Sequence, residues 1–548
     1  MRSRDGAARE AGRRGGWRLA ALELAILSVL ASGLLYLLSL TPADSDLWGH
    51  VRFGQLFRSA GRLPATDPFS FLGGRWLNHE WLSEVVLAFL WDGWGPVGLI
   101  GWKLTVGGLI AGLLFRHLVG RGADRLRAAG LTLFLLLPML PGLAPVRPQL
   151  FTYLFFLLLL LALDAAERGR RAWLWGLPPL FGLWANLHGG VLAGLGWFGL
   201  WAILSVVAAS ARRVRVGSGR ERSEAGAPAR FGGGKRERLL LPALLGLCVL
   251  ATFLNPFGPR LLAFLLRTAT VSRPEIVEWQ PIELATGPGI GYLALVALLV
   301  TALAALRPRL SVSLVLVGGS ALLPLLAVRH LPLFALAVGV LGGEPIVRLI
   351  GRLGPDPIRG WPAAGSRPKA AERLVYSAGL LLLLGLAAST VARSVRRPVC
   401  LESAPGAGGL RYPARAVRAL AHSGAEGRLL VPFNWGQYAI WHLGPRLRVS
   451  MDGRRETVYA PETYAAFQSF MRGIGEWSGR LRRLRPDVAL VPRGSSVYNL
   501  FLLEPGWWLA YEDSLAAIFL PADSPLRGPL TVATRSVAGE PVERACFP

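Results

Sequence analysis

The chain is poor in cysteine, histidine and acidic residues: among 548 residues there are 3 Cys, 7 His and 34 Asp plus Glu. Three cysteines allow one disulfide at most. Cys248 lies inside an apolar run and reads as inert packing. Cys400 and Cys546 bracket a polar C-terminal region. They either close it as a disulfide in an oxidising compartment or stay as two free thiols, since spacing alone does not bring two Cα atoms within reach. Charged residues of all kinds make up only 17% of the chain, whereas 52% is hydrophobic and the mean hydropathy is +0.42. That balance excludes an ordinary soluble domain, which would show a polar face on each element.

Apolar runs of about twenty residues recur, long enough to cross roughly 30 Å of hydrocarbon. About eleven spans are predicted, at 19–40, 95–118, 127–145, 149–166, 172–187, 190–210, 238–255, 289–306, 310–327, 331–348 and 374–394. Residues 80–93 form a further apolar helix, expected to lie along the membrane surface or dip into it. The basic N-terminus (Arg2 to Arg18) precedes an apolar run too long for a cleaved signal, so the first span is expected to be retained. The fold class is therefore a polytopic α-helical membrane protein. Residues 1–394 form the membrane part, and 395–548, after a Gly/Pro-rich linker near Pro405–Gly409, an extracytoplasmic α/β or α+β domain.

Lys and Arg exceed Asp and Glu by 26 charges. The excess sits in short loops, including Arg121, Arg125, Arg127, Arg168, Arg170, Arg171 and the Gly/Ser/Arg-rich stretch 211–237, and no nucleic-acid-binding signature accompanies it. Nucleic acid is thus not an expected partner. The same arginines place the N-terminus in the cytoplasm and the first loop, 41–94, outside. No internal repeat is present.

The outward loops collect the unusual polar residues: Asp44-Ser45-Asp46-Leu47-Trp48-Gly49-His50, Asp67, Asn78-His79-Glu80-Trp81, Arg147, Asn186-Leu187-His188-Gly189-Gly190, Glu275, Glu278 and Arg329-His330. Ionisable groups at bilayer depth normally face a protein interior or a wet cavity, so these are expected around one outward cavity. Asp46 and His50 are one helical turn apart and share a face; such a pair suits proton transfer or, with Asp44, metal ligation. The plainer readings are an N-cap for Asp46 and a first-turn position for Glu80. Arg147 and Arg329 either snorkel to the interface or, with His330 and His188, bind phosphate. Trp48, Trp76, Trp81, Trp91, Trp94 and Trp279 are expected to form an aromatic belt, and Gly189-Gly190 to punctuate a helix end.

An acid just after the first span, surface helices in the first outer loop and a C-terminal outer domain resemble the GT-C superfamily of membrane glycosyltransferases. Asp46 is followed by Gly61 and Pro64 at a spacing similar to that in protein O-mannosyltransferases and lipid A aminoarabinose transferases. The D-x-D-x-W-x-H, N-H-E-W-L and N-x-H-G-G segments resemble those of bacterial membrane proteins of the superfamily. Leu47 stands where those transferases have a Glu, leaving Asp44/Asp46 as the acidic pair. The resemblance implies an enzyme of the bacterial inner membrane that transfers a sugar from a polyprenyl-phosphate-linked donor to a lipid, glycan or protein acceptor. Asp46 would be the general base, helped by Asp44 or His50. Arg329, His330, Arg147, His188, His79 and Glu80 would bind substrate, and Asp44 with Asp46 would hold a Mg or Mn ion if one is used. The competing readings are a transporter or lipid flippase, and a scaffold presenting residues 395–548.

Overall fold

A computed structural model describes residues 2–39, 44–217, 235–271, 273, 276–352, 370–396 and 412–538. Cys400, Cys546, Glu275, the 405–409 linker and most of the basic 211–237 stretch lie outside the described residues. Among those described, seven helices are long and apolar enough to cross a membrane, or eight if Val328–Val340 and Gly343–Arg352, bent by 62°, count as one. Other expected spans are shorter apolar helices, such as Leu177–Leu187, Leu239–Ala251 and Val312–Leu326. Proline accounts for part of this: Pro178, Pro242 and Pro324 each remove a backbone donor from the helix ladder.

The helix Trp81–Gly120 is interrupted at Gly95, whose φ of 56° and ψ of −144° turn the chain before Pro96. A side chain would resist that backbone, and proline cannot restore the broken ladder. The expected surface helix and the span after it are thus separate at the predicted place. Leu47–Ala60 ends on Gly61 at φ 64°, whose N–H donates to Phe57 O.

Residues 412–538 carry a five-stranded sheet in the order β2-β1-β3-β5-β4, with β1 Gly427–Leu430, β2 Leu447–Val449, β3 Val488–Pro492, β4 Trp507–Glu512 and β5 Ala516–Pro521. β1, β2 and β3 run parallel, joined by helical crossovers, while β4 and β5 form an antiparallel hairpin. Val488 to Val491 are all buried, as befits a central strand covered on both faces.

Two hydrophobic cores result. One lies among the bundle helices. The other joins Leu47, Trp48, Phe53, Phe57 and Trp76 of the first loop to the sheet region. Main-chain bonds stitch the two sequence regions together: Phe71 N–H donates to Val449 O at 3.0 Å, Val449 N–H to Phe69 O at 2.9 Å and Leu77 N–H to Thr457 O at 2.9 Å. The first loop is therefore a structural part of the C-terminal unit as much as a loop of the bundle.

This corrects the aromatic belt. Trp48 packs 4.6 Å from Tyr412, Trp76 is buried against Phe53, Trp81 Nε1 donates to Asn186 Oδ1 and Trp91 meets Trp441. Trp94, 58% exposed, is the member of the set that keeps a surface position.

Candidate functional site

The described outward groups do converge. A cavity of about 600 Å³ lies between the first loop, the bundle end and the sheet region, and a second of about 960 Å³ lies beneath it among apolar helix ends. The two share a waist that includes His79, Glu80, Glu278, Trp279, Arg329 and Arg454. Asp44, Asp46 and His50 face the upper cavity, His188 and His330 the lower one, and Arg147 the upper one.

Asp46 occupies the N-cap position of Leu47–Ala60 but makes no side-chain capping bond, and its φ of −93° and ψ of −12° are already helical. Its carboxylate takes part in no hydrogen bond or ion pair among the described residues. Burial raises its pKa; His50 lowers it; Glu80, Asp452 and Glu278 raise it further, to about 6. The neighbouring acids are all engaged. Asp44 accepts from Asp46 N–H at 2.9 Å and forms an ion pair with Arg147, which also pairs with Glu278. Glu84 meets His50 Nδ1 at 3.1 Å and accepts from Asn78 Nδ2 at 2.5 Å.

Glu80 sits among three imidazoles, with His79 Nε2 at 3.2 Å, His188 Nε2 at 3.3 Å and His50 Nε2 at 3.8 Å. Burial alone would raise its pKa, but the charge and hydrogen bond of His79, then His188 and His50, hold it well below the usual carboxylate range. It is the N-cap residue of its helix, and Glu84 takes the first-turn place expected for it. His188 Nδ1 accepts from Gly190 N–H at 2.9 Å, which leaves the proton on Nε2 to donate to Glu80. Burial first, against the pull of Glu80, brings the His188 pKa down to about 4, so it is a neutral donor. Gly190 is more than punctuation, for a Cβ there would stand 2.3 Å from Thr152 Oγ1 and 2.9 Å from His188 Nδ1.

His50 departs from its expected role. Burial lowers its pKa, but the Glu84 hydrogen bond and the charges of Glu80, Glu84 and Asp46 outweigh it and bring it to about 9. That shift favours the imidazolium beside Glu84 and Glu80, and an electrostatic part is the one these neighbours support.

The two arginines also part company. Arg147 is consumed by Asp44 and Glu278. The Arg329 guanidinium stacks 4.1 Å from the Trp279 ring, with Arg273 at 3.9 Å, and has no carboxylate within ion-pair distance among the described residues. Arg273 itself is held by Glu456 at 3.3 Å.

As a metal site the Asp44/Asp46 pair does not fit. Both Asp44 oxygens are committed, and among the described residues no group of three or more His, Cys, Asp or Glu is placed to hold an ion.

In the sheet region the sequence offers Trp435-Gly436-Gln437-Tyr438 and Asp452-Gly453-Arg454-Arg455 either as segments that close over an acceptor or as purely structural ones. Arg454 donates to both oxygens of Asp67, at 2.7 and 2.9 Å, and to both of Asp452, at 2.8 and 2.7 Å, beneath the rings of Phe53 and Trp76. A Cβ on Gly453 would lie 2.1 Å from Asp46 Oδ1 and 2.9 Å from Gln437 Nε2. The Asp452-Gly453 dipeptide reads as a simple turn in sequence; in space its glycine makes room for the Asp46 carboxylate. Asn434, Gln437 and Gln468 complete that wall.

No family model matches the chain, and no curated protein matches it in sequence. Solved structures do. The apo oligosaccharyltransferase of Archaeoglobus fulgidus aligns with 85% of this chain and 69% of its own, at TM-score 0.52 and 11% identity. ArnT from Cupriavidus metallidurans bound to undecaprenyl phosphate aligns with 92% of this chain and 98% of its own, at TM-score 0.50 and 14% identity. The archaeal oligosaccharyltransferase AglB of A. fulgidus, in complex with an inhibitory peptide and a dolichol-phosphate, aligns with 87% of this chain and 69% of its own, at TM-score 0.51 and 13% identity. The chain has a GT-C-like fold.

Proposed function

We propose that this protein is a membrane glycosyltransferase that moves a sugar from a polyprenyl-phosphate-linked donor to an acceptor at the outer face of a bacterial inner membrane. One observation carries the reading. Asp46, whose carboxylate has no hydrogen-bond or ion-pair partner among the described residues, faces a polar cavity whose waist opens, beside Arg329, onto an apolar cavity between helices. The solved structures of similar fold hold undecaprenyl phosphate in one case and dolichol-phosphate in another. The reading of topology rests on the arginines: Arg121, Arg125, Arg127 and Arg168 lie at helix ends and line neither cavity. The positive-inside rule supports a cytoplasmic place for them and an outward one for the cavity.

The polyprenyl tail lies in the lower cavity, the phosphate at Arg329 and the acceptor in the upper cavity. An acceptor hydroxyl attacks the anomeric carbon while Asp46 takes its proton. The bond from the anomeric carbon to the phosphate oxygen breaks, and the electron pair leaves with polyprenyl phosphate. Arg329 stabilises that departing charge from a site poor in water, where a guanidinium acts most strongly. His188, His79 and His50 keep Glu80 anionic at the waist, where positive charge develops on the sugar. Arg147 holds Asp44 and Glu278 in place, and His330 lines the tail cavity.

The test is donor turnover by full-length protein in nanodiscs. Radiolabelled polyprenyl-phosphate sugars are supplied with and without Mg²⁺ or Mn²⁺, beside an Asp46→Asn variant. Release of polyprenyl phosphate that the variant abolishes supports the reading. A folded protein that turns over no donor, yet moves lipid or solute across the bilayer in flux assays, overturns it.

A further inference from the structure

The wall of the upper cavity contributed by the sheet region has a chemistry of its own. Beside Arg454 and Thr457 it presents three amides, Asn434, Gln437 and Gln468. None of the three has a side-chain hydrogen bond among the described residues. Gln437 is only 3% exposed, and its Oε1 is buried without a partner. An unpaired buried amide is costly, so its retention beside Gly453 and Asp46 points to a ligand that pairs with this wall.

Charge narrows the class. Arg454, the guanidinium on this wall closest to the amides in sequence, is saturated by Asp67 and Asp452, and Arg147 across the cavity is engaged by Asp44 and Glu278. Arg329, the remaining arginine of the lining, is taken by the donor phosphate in the proposed function, and His50 is paired with Glu84, so an anionic acceptor would meet chiefly the carboxylates of Asp46, Glu80 and Glu84. Amides donate and accept at once, as sugar hydroxyls do, and Phe433, its ring set edge-on to Tyr464, gives an apolar surface beside them. We infer that the upper cavity binds a neutral, hydroxyl-rich glycan as acceptor, read by Asn434, Gln437 and Gln468 of the C-terminal region. Calling that glycan the acceptor, and giving Arg329 to the donor phosphate, rests on the transferase reading; the amide site does not.

Full-length protein in nanodiscs is titrated with neutral oligosaccharides of hexose, N-acetylhexosamine and pentose units, and with phosphorylated and uronic-acid counterparts. Undecaprenyl phosphate is titrated separately. With undecaprenyl phosphate present to occupy Arg329, a neutral glycan is expected to bind more tightly than its charged counterparts. Gln437→Leu is expected to weaken it about tenfold, the value of one hydrogen bond. Asn434→Ala, at an exposed position, repeats the test where folding is not at stake. Undecaprenyl phosphate binding is expected to be unchanged in both variants. The inference is overturned if no neutral glycan binds, if the anionic ones bind as well or better, or if both variants bind like the parent. If glycans bind through the amides but undecaprenyl phosphate does not bind at all, the transferase reading fails and the glycan site stands.

Discussion

Asp67 and Asp452 commit all four of their carboxylate oxygens, to Arg454, to the main-chain N–H groups of Phe69, Ser70 and Arg454, and to the Tyr459 hydroxyl. A short way along the same wall Asp46 commits neither of its own to any described residue. Both clusters lie where the first loop meets the sheet region. In the first, a shared guanidinium answers burial: against burial it holds the Asp452 pKa below its ordinary value, while at Asp67 burial still wins and raises it. The charges of Asp452 and Asp67 outweigh burial in turn and push Arg454 well above its own. In the second, burial is left uncompensated at one acid, whose pKa rises to about 6. A saturated cluster can only hold two segments together. An unsaturated one has a lone pair and a proton affinity to offer a substrate. The difference separates a joint from a reacting group within one interface.

The comparison breaks most readily at the joint. Arg454→Leu leaves two buried carboxylates without their cation, a loss of about 3–5 kcal/mol by analogy with other broken buried pairs. Thermal unfolding should show the first loop and the sheet region loosening together, with activity lost as a consequence. Asp46→Asn is the opposite case. Because the folded state disfavours the Asp46 carboxylate, its pKa lies above the ordinary value of 3.8, and its contribution to stability falls as pH rises from there through about 6. The amide removes that charge, so at pH 7 the variant should melt no lower than the parent. Its transfer rate should fall by about 10²–10⁴, the usual value of general-base help. An Asp46→Asn protein that melts early and keeps its rate would show that the two clusters do the same work.

Arg329 and Arg147 repeat the contrast among cations. Arg147 lies between two acids, whereas Arg329 rests on Trp279 with no carboxylate within ion-pair distance among the described residues. Arg329→Ala should cost about 10²–10³ in turnover, as removal of a single charge-stabilising donor does elsewhere, and should weaken undecaprenyl phosphate binding in parallel. Full affinity in that variant would move the phosphate site to another group.

Sequence reading found the groups but not their pairings. D-x-D-x-W-x-H, N-H-E-W-L and N-x-H-G-G all reach the site, because polar residues at span ends have few other places to go. The separation of the apolar helix 80–93 from the span that begins at 95 was legible, and the structure puts the break at Gly95. The trapping of Arg147 was not, since Glu278 lies 131 residues away and only folding brings it near. Nor was the use of Trp48 and Trp76, which look like interface anchors until the sheet region covers them. Gly453 is the sharpest case. Its neighbours had marked it as a turn, and the reason it must lack a side chain sits about four hundred residues earlier, at Asp46.

The smallest expected effect concerns His50, which belongs to the unsaturated cluster yet is itself paired. Its folded pKa of about 9 lies above the ordinary 6.5, so its stabilising contribution is complete below about 6.5 and is lost as pH rises through about 9. The parent protein should therefore lose melting temperature between pH 7 and 10 in a way that His50→Gln does not. The rate should rise with pH as Asp46 ionises near 6 and decline again as His50 gives up its charge near 9. In His50→Gln the alkaline limb should vanish. The acid limb should move to higher pH, because His50 is the group that holds the Asp46 pKa down against burial and its acidic neighbours. A base assisted by a neutral imidazole would respond in the other sense, with the rate limited on the acid side by His50 itself. The direction in which the acid limb moves therefore decides whether His50 shares the proton or only sets the charge under which Asp46 takes it.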